Sequence, residues 1–133
     1  MIILDTSFLV SFYNKDDDNY DKAWEIMQYL ISGKYGDVCI SDYIFDECVT
    51  VLFSRLKDLE KVAMICETIK KVKIFKVNSG LFDDSWRIFK EQKNTKFSFT
   101  DCTILALMRW HGIKNIATFD EDFEKIKDIN VVS

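Results

Sequence analysis

The 133-residue sequence contains no proline and only four glycines, so the two strongest chain breakers do little to mark where its elements end. Collagen-like chains and Pro- or Gly-rich disordered chains are excluded, and boundaries must come from polar clusters instead. There is a single histidine, His111, and the four cysteines (Cys39, Cys48, Cys66 and Cys102) are scattered without a C-x-x-C pair. That pattern argues against a zinc site and for cysteines acting as small buried apolar residues in a reducing compartment. A surplus of positive charge is missing as well: 18 Lys+Arg against 22 Asp+Glu give a net charge of −4. The chain therefore lacks the general cationic surface by which non-specific nucleic-acid binders displace counterions, and any nucleic acid has to be held locally. Long apolar runs are absent, and Met1-Ile2-Ile3-Leu4 meets Asp5 before a signal-peptide core could form. A cytoplasmic protein is expected. With no repeat, low-complexity segment or linker, a single domain over residues 1–133 is expected too.

What is present is ample core material, 48% apolar and 14% aromatic. Ile2-Ile3-Leu4 reads as a strand, followed by an Asp-Thr-Ser turn and a brief helix through Phe8, Leu9 and Phe12. Asp16-Asp17-Asp18 then reads as a solvated start to a helix whose apolar residues are Ala23, Trp24, Met27, Leu30 and Ile31. Residues 37–40 read as the second strand. Ser41 or Asp42 can cap a helix with Phe45, Cys48, Val49, Leu52, Phe53 and Leu56 on its apolar stripe. A further helix runs from Leu59 to Val72, and residues 73–77 alternate as a third strand. Helix is expected again over 79–91 and 98–111, the latter ending at Gly112, with strands over 116–119 and 130–132. Strands alternating with helices predict a three-layer α/β domain around a mostly parallel sheet. In such sheets the site lies beyond the carboxyl ends of the strands, where strand order reverses.

Four carboxylates fall where that rule looks. Asp5 follows the first strand and Asp120 the fourth, while Glu47 and Asp101 lie in the early turns of two helices. If they converge, like charges about 4 Å apart cost roughly 4 kcal/mol per pair at an effective dielectric near 20. Protons or a cation must then neutralise the cluster, and all-oxygen ligands with open positions suit Mg²⁺ or Mn²⁺. Such an ion acidifies water and neutralises a phosphodiester, which implies phosphodiester hydrolysis. Local explanations stand beside this one. Ser98 and Asp101 fit a capping box, Asp120-Glu121-Asp122 fits an acidic helix start, Glu47 fits a helix surface beside Asp46, and Asp5 fits an Asx turn.

Around these residues the sequence resembles a PIN domain, the fold shared by VapC-like toxins of toxin–antitoxin pairs and by several RNA-processing nucleases. The resemblance spans nearly the whole chain. It is carried by Asp5-Thr6-Ser7, by Ile44-Phe45-Asp46-Glu47-Cys48, by Phe99-Thr100-Asp101-Cys102 with Ala106, and by Ile116-Ala117-Thr118-Phe119-Asp120 before Phe123. It implies a three-layer α/β/α fold with about five parallel strands, and a Mg²⁺- or Mn²⁺-dependent endoribonuclease that leaves a 3′-hydroxyl and a 5′-phosphate. Asp5, Glu47, Asp101 and Asp120 match the family's acidic ligands, Asp122 an accessory acid, and Ser7 and Thr118 the hydroxyls that orient carboxylates or water. Toxin members commonly form homodimers and are blocked by an antitoxin protein.

Lys90, Lys93 and Lys96 precede Asp101 and are candidates for RNA phosphate contacts, with solvated loop lysines as the alternative. Two functional rivals within the resemblance are an RNA-processing nuclease outside toxin systems and a non-catalytic scaffold that binds protein through Phe82, Trp86 and Phe89. A third rival, an aspartyl-phosphate phosphatase with Asp5 as nucleophile, is disfavoured because Ser7 stands where its second aspartate is expected.

Overall fold

The computed structural model describes residues 1–133. The chain opens with strand β1 (Ile2–Leu4), buried throughout, and turns through Asp5 into helices α1 (Thr6–Tyr13) and α2 (Tyr20–Ile31). Strand β2 (Val38–Ser41) leads into α3 (Asp42–Leu56) and α4 (Leu59–Ile69), and β3 (Lys73–Phe75) into α5 (Ser79–Glu91) and α6 (Phe99–His111). Strand β4 (Asn115–Ala117), a 3₁₀ segment (Glu121–Lys125) and β5 (Asn130–Val132) complete it. No helix is long and apolar enough to cross a membrane.

The five strands are all parallel, in the order β3-β2-β1-β4-β5. From β1 the chain first builds outward through β2 to β3. It then crosses back to add β4 on the other side of β1, so strand order reverses between β1 and β4. Right-handed crossovers put α1–α4 on one face and α5, α6 and the 3₁₀ segment on the other, which makes the expected three layers. Ile2, Ile3, Ile40 and Ile116 are fully buried between them, as strands covered on both faces require. All four cysteines are free and buried. Gly80 permits the contact of α5 with α6, since a Cβ there would stand 2.8 Å from the Trp110 ring.

Several boundaries and faces differ from the sequence reading. The second strand is shifted by one residue, to 38–41, α4 stops at Ile69 rather than Val72, and β3 ends at Phe75 because the Val77 N–H donates to Asp42 Oδ1 at 3.0 Å. In α2 the buried set is Ala23, Ile26 and Leu30, so Trp24 and Ile31, one position further round the helix, face outward. Phe53 turns outward from α3 for the same reason, while Ile44 takes its place in the core. The Asp16–Asp18 run lies before α2 rather than in its first turn, and Asp17 is bonded rather than freely solvated: its Oδ1 accepts from Ser11 Oγ and from the Asn19 N–H, each at 2.9 Å.

Candidate active site

The site begins with a carboxylate at the end of β1. Asp5 caps α1, its Oδ1 accepting the Thr6 N–H at 2.8 Å, and is only 3% exposed. Its Oδ2 accepts from Ser7 Oγ at 2.9 Å and from Thr118 Oγ1 at 2.7 Å. Those two hydroxyls also receive backbone groups, Ser7 Oγ the Phe119 N–H and Thr118 Oγ1 the Asp120 N–H, both at 3.0 Å. Side chains thus take over the donors that a longer strand would have used. This is why β4 ends at Ala117 instead of 119 and the chain turns to present Asp120. Asp120 in turn caps the 3₁₀ segment, its Oδ1 accepting the Asp122 N–H at 3.0 Å.

The other two carboxylates arrive on helices. Ser98 and Asp101 form a capping box at the start of α6: Asp101 Oδ2 accepts the Ser98 N–H at 2.9 Å, and Ser98 Oγ accepts the Asp101 N–H at 3.1 Å. Ser41 caps α3 by accepting the Ile44 N–H at 3.1 Å, and Glu47 follows on that helix. Asp5, Glu47, Asp101 and Asp120 all line one cleft of about 460 Å³ at the β1/β4 reversal, with Ser7 beside them. Thr118 lies beneath, gripping Asp5. Asp101 is therefore both a helix cap and a cleft residue.

The cleft holds residues that the sequence reading missed. Arg55, near the end of α3, is the one cation in its lining, and Arg55 Nη1 lies 3.5 Å from Asp17 Oδ2. With Asp17 held by Ser11 and Asn19, three elements converge where Arg55 meets the cleft. No periodicity links Ser11, Asp17 and Arg55, so only the folded chain shows the set. Conversely, Asp122 is not in the cleft lining; it pairs with Lys125 at 2.7 Å and accepts the Lys96 N–H at 2.7 Å, and these contacts hold its carboxyl below the usual range. Lys93 lines a different cavity, and neither it nor Lys96 reaches the carboxylate cleft.

Burial dominates the electrostatics of these acids, and their mutual repulsion adds to it. Burial raises the Asp5 carboxyl above its ordinary value against the hydrogen bonds from Thr118 and Ser7, and the Glu47 charge adds to the rise. Burial also pushes Asp101 up to about 7, with Asp5 and Asp120 contributing and the bonds from Ser98 opposing. At neutral pH Asp101 thus retains a share of the proton that an isolated carboxylate would release, the response expected of a buried acid.

A divalent cation fits this donor set, which is all oxygen and hard. No group of three acids is already posed around one point, because Asp5, Asp101 and Asp120 each turn an oxygen to a local N–H. Oδ1 of Asp101 and Oδ2 of Asp120 accept no hydrogen bond. The Thr6 hydroxyl, buried in the same cleft lining, also lacks a hydrogen-bond partner. The chemistry of the donors fits a cation.

The chain is similar to known proteins over nearly its whole length. The family model described as PIN domain matches residues 2–129. The 23S rRNA-specific endonuclease VapC20 of Mycobacterium tuberculosis is 30% identical over 124 residues, 92% of each chain. Ribonuclease VapC6 of Methanocaldococcus jannaschii is 23% identical over 151 aligned positions, covering 98% of this chain and 95% of that protein. The crystal structure of VapC20, described as a sarcin-ricin loop cleaving toxin, superposes with a TM-score of 0.82 at 26% identity over 97% of both chains. A toxin–antitoxin complex from Klebsiella pneumoniae shares the fold, with a TM-score of 0.73 at 17% identity over 100% of this chain and 97% of that one.

Proposed function

This chain belongs to the PIN-domain family, and from that premise we propose that, as a single domain, it is a metal-dependent endoribonuclease and the toxin of a type II toxin–antitoxin pair. The observation that carries the reading is the convergence of Asp5, Glu47, Asp101 and Asp120 on one cleft at the strand-order reversal. The names of the relatives, endonuclease and ribonuclease, support RNA as the substrate.

Asp5, Glu47, Asp101 and Asp120 would hold Mg²⁺ or Mn²⁺. When bound, the ion neutralises charge on the phosphodiester and lowers the pKa of water. The protein's own part is positioning. Ser7 and Thr118 fix the Asp5 carboxylate, Ser98 fixes Asp101, and the Arg55 guanidinium offers N–H donors to a phosphate oxygen. In the hydrolysis a water oxygen bonds to phosphorus, the phosphorus–O3′ bond breaks, and the 3′ oxygen leaves with a proton. A nucleophilic role for Asp5 is disfavoured, since both its oxygens are hydrogen-bonded in a nearly closed position.

A protein partner is supported by apolar side chains left in solvent, notably Ile31, Leu59 and Met64, and by the toxin–antitoxin complex that shares the fold. The face of α5 bearing Phe82, Trp86 and Phe89 is also exposed rather than packed in the core. It supports a homodimer alongside catalysis better than a scaffold that has lost it, because all four acids are in the cleft.

The test is cleavage of structured RNAs, the sarcin-ricin loop included, by purified protein in Mg²⁺ or Mn²⁺. Cutting that disappears with EDTA and in Asp101→Asn is expected. Metal-independent cutting, or full activity in Asp101→Asn, would refute the assignment.

A further inference from the structure

A second groove lies at the opposite end of α6, and its charge is opposite to that of the carboxylate cleft. Arg109 in the last turn of α6, Lys114 just before β4, Lys125 at the end of the 3₁₀ segment and Lys127 just beyond it surround a cavity of about 400 Å³. Buried Leu105 and Met108 form part of its wall, and Asp128 is its one acid. Of the four cations only Lys125 has a carboxylate partner, Asp122. The dipole of α6 accounts for a cation at Arg109 but not for three lysines on other segments. In a chain of net charge −4, such a concentration of unpaired positive charge sets this surface apart.

The groove continues into a second cavity. An adjoining cavity of about 250 Å³ shares Leu105, Arg109, Lys125 and Ile126 with it and extends to Lys93 in the loop before α6. Lys125 fastens the junction, its Nζ donating to the Asn94 carbonyl at 2.8 Å as well as to Asp122. Along α6, Asp101 and Arg109 are separated by roughly 12 Å of helical rise, a distance that a few nucleotides span.

We propose that this groove binds the phosphodiester backbone of the RNA strand flanking the cut. The proposal rests on the nuclease reading above. Lysines meet phosphates as point charges and arginine as a two-pronged donor, neither reading the bases, so the groove sets register and grip rather than sequence. It supplies the local hold that an acidic protein needs in place of a generally cationic surface.

The experiment compares the full chain with Arg109→Gln/Lys114→Gln/Lys127→Gln and with a control, Lys22→Gln/Lys61→Gln/Lys70→Gln, on α2 and at α4 across the sheet. All six residues are exposed, and an unchanged melting temperature verifies folding. Binding of a fluorescent structured RNA is measured in EDTA across a salt series, and cleavage is measured in Mn²⁺. The groove variant should bind at least about tenfold more weakly, with a log–log salt slope shallower by about 2, since each lost single-strand phosphate contact removes roughly 0.7. Its cleavage defect should fall on KM rather than kcat, while the control matches the parent. If the parent binds and cuts RNA and the groove variant does so with the same slope and KM, the groove proposal is wrong and the nuclease reading stands. If the parent neither binds nor cuts any RNA, the nuclease reading falls and the groove with it. Loss of an acidic protein partner with RNA binding unchanged would reassign the groove to protein.

Discussion

Asp101 can be tested without knowing the RNA. Its folded-state value near 7 lies above the ordinary 3.8, so the metal-free folded chain holds a proton that the unfolded chain releases first. The stability this gives is complete below about pH 3.8 and is lost as pH rises through about 7. Urea unfolding in EDTA should show that decline in the parent and a flatter profile in Asp101→Asn, leaving the variant the more stable of the two at pH 8. The same variant should lose activity by at least about a hundredfold. Identical pH profiles would mean that the Asp101 carboxyl titrates alike in both states. Arg55 makes a different prediction, because the proposed mechanism assigns it to a phosphate oxygen rather than to the metal. In Arg55→Gln, KM should rise about tenfold while the Mn²⁺-induced rise in melting temperature is retained, and Asp17→Asn should follow it more weakly. A lost Mn²⁺ response in Arg55→Gln would show that the arginine instead supports the carboxylates.

At the scale of elements, the site depends on helix caps. Ser98→Ala removes one half of the α6 capping box and should lower stability by about 1 kcal/mol. Activity should fall further than that loss explains, because the Ser98 N–H that holds the Asp101 carboxylate is then no longer fixed by the cap; denaturant midpoint and kcat together separate the two effects. Ser98→Thr should restore both. These caps are also why α6 was readable from sequence: Ser98 starts it, and Gly112, at φ 65°, ends it. The strands were less legible for the converse reason. Thr118 and Phe119 look like strand residues, yet the Thr118 hydroxyl and the Phe119 N–H serve Asp5 and Ser7. Val77 is drawn from β3 in the same way by Asp42. Apolar alternation gives the location of a strand, whereas the side chains that pull its end out of the sheet come from elsewhere in the chain.

For the whole molecule, alternation of strand and helix made the parallel sheet legible, and the strand-order rule then pointed to Asp5 and Asp120 before any geometry was known. Glu47 and Asp101 were harder, since in isolation each reads as an ordinary helix residue; the resemblance grouped them, and the fold brings them to one cleft. Ser11, Asp17 and Arg55 were illegible because their association exists only where α1, the turn before α2, and α3 meet. The charge of the whole chain hid the groove beside Arg109, as a net value of −4 averages an acidic cleft with a cationic surface. The account therefore turns on whether four acids from four parts of the fold act as one metal site. Calorimetric titration of Mn²⁺ into the parent, the single amide variants of Asp5, Glu47, Asp101 and Asp120, and Asp122→Asn tests this directly. The account predicts saturable binding that weakens at least about tenfold in each of the four and is unchanged in Asp122→Asn. Equal binding by the parent and those four variants, or no binding by the parent, would contradict it.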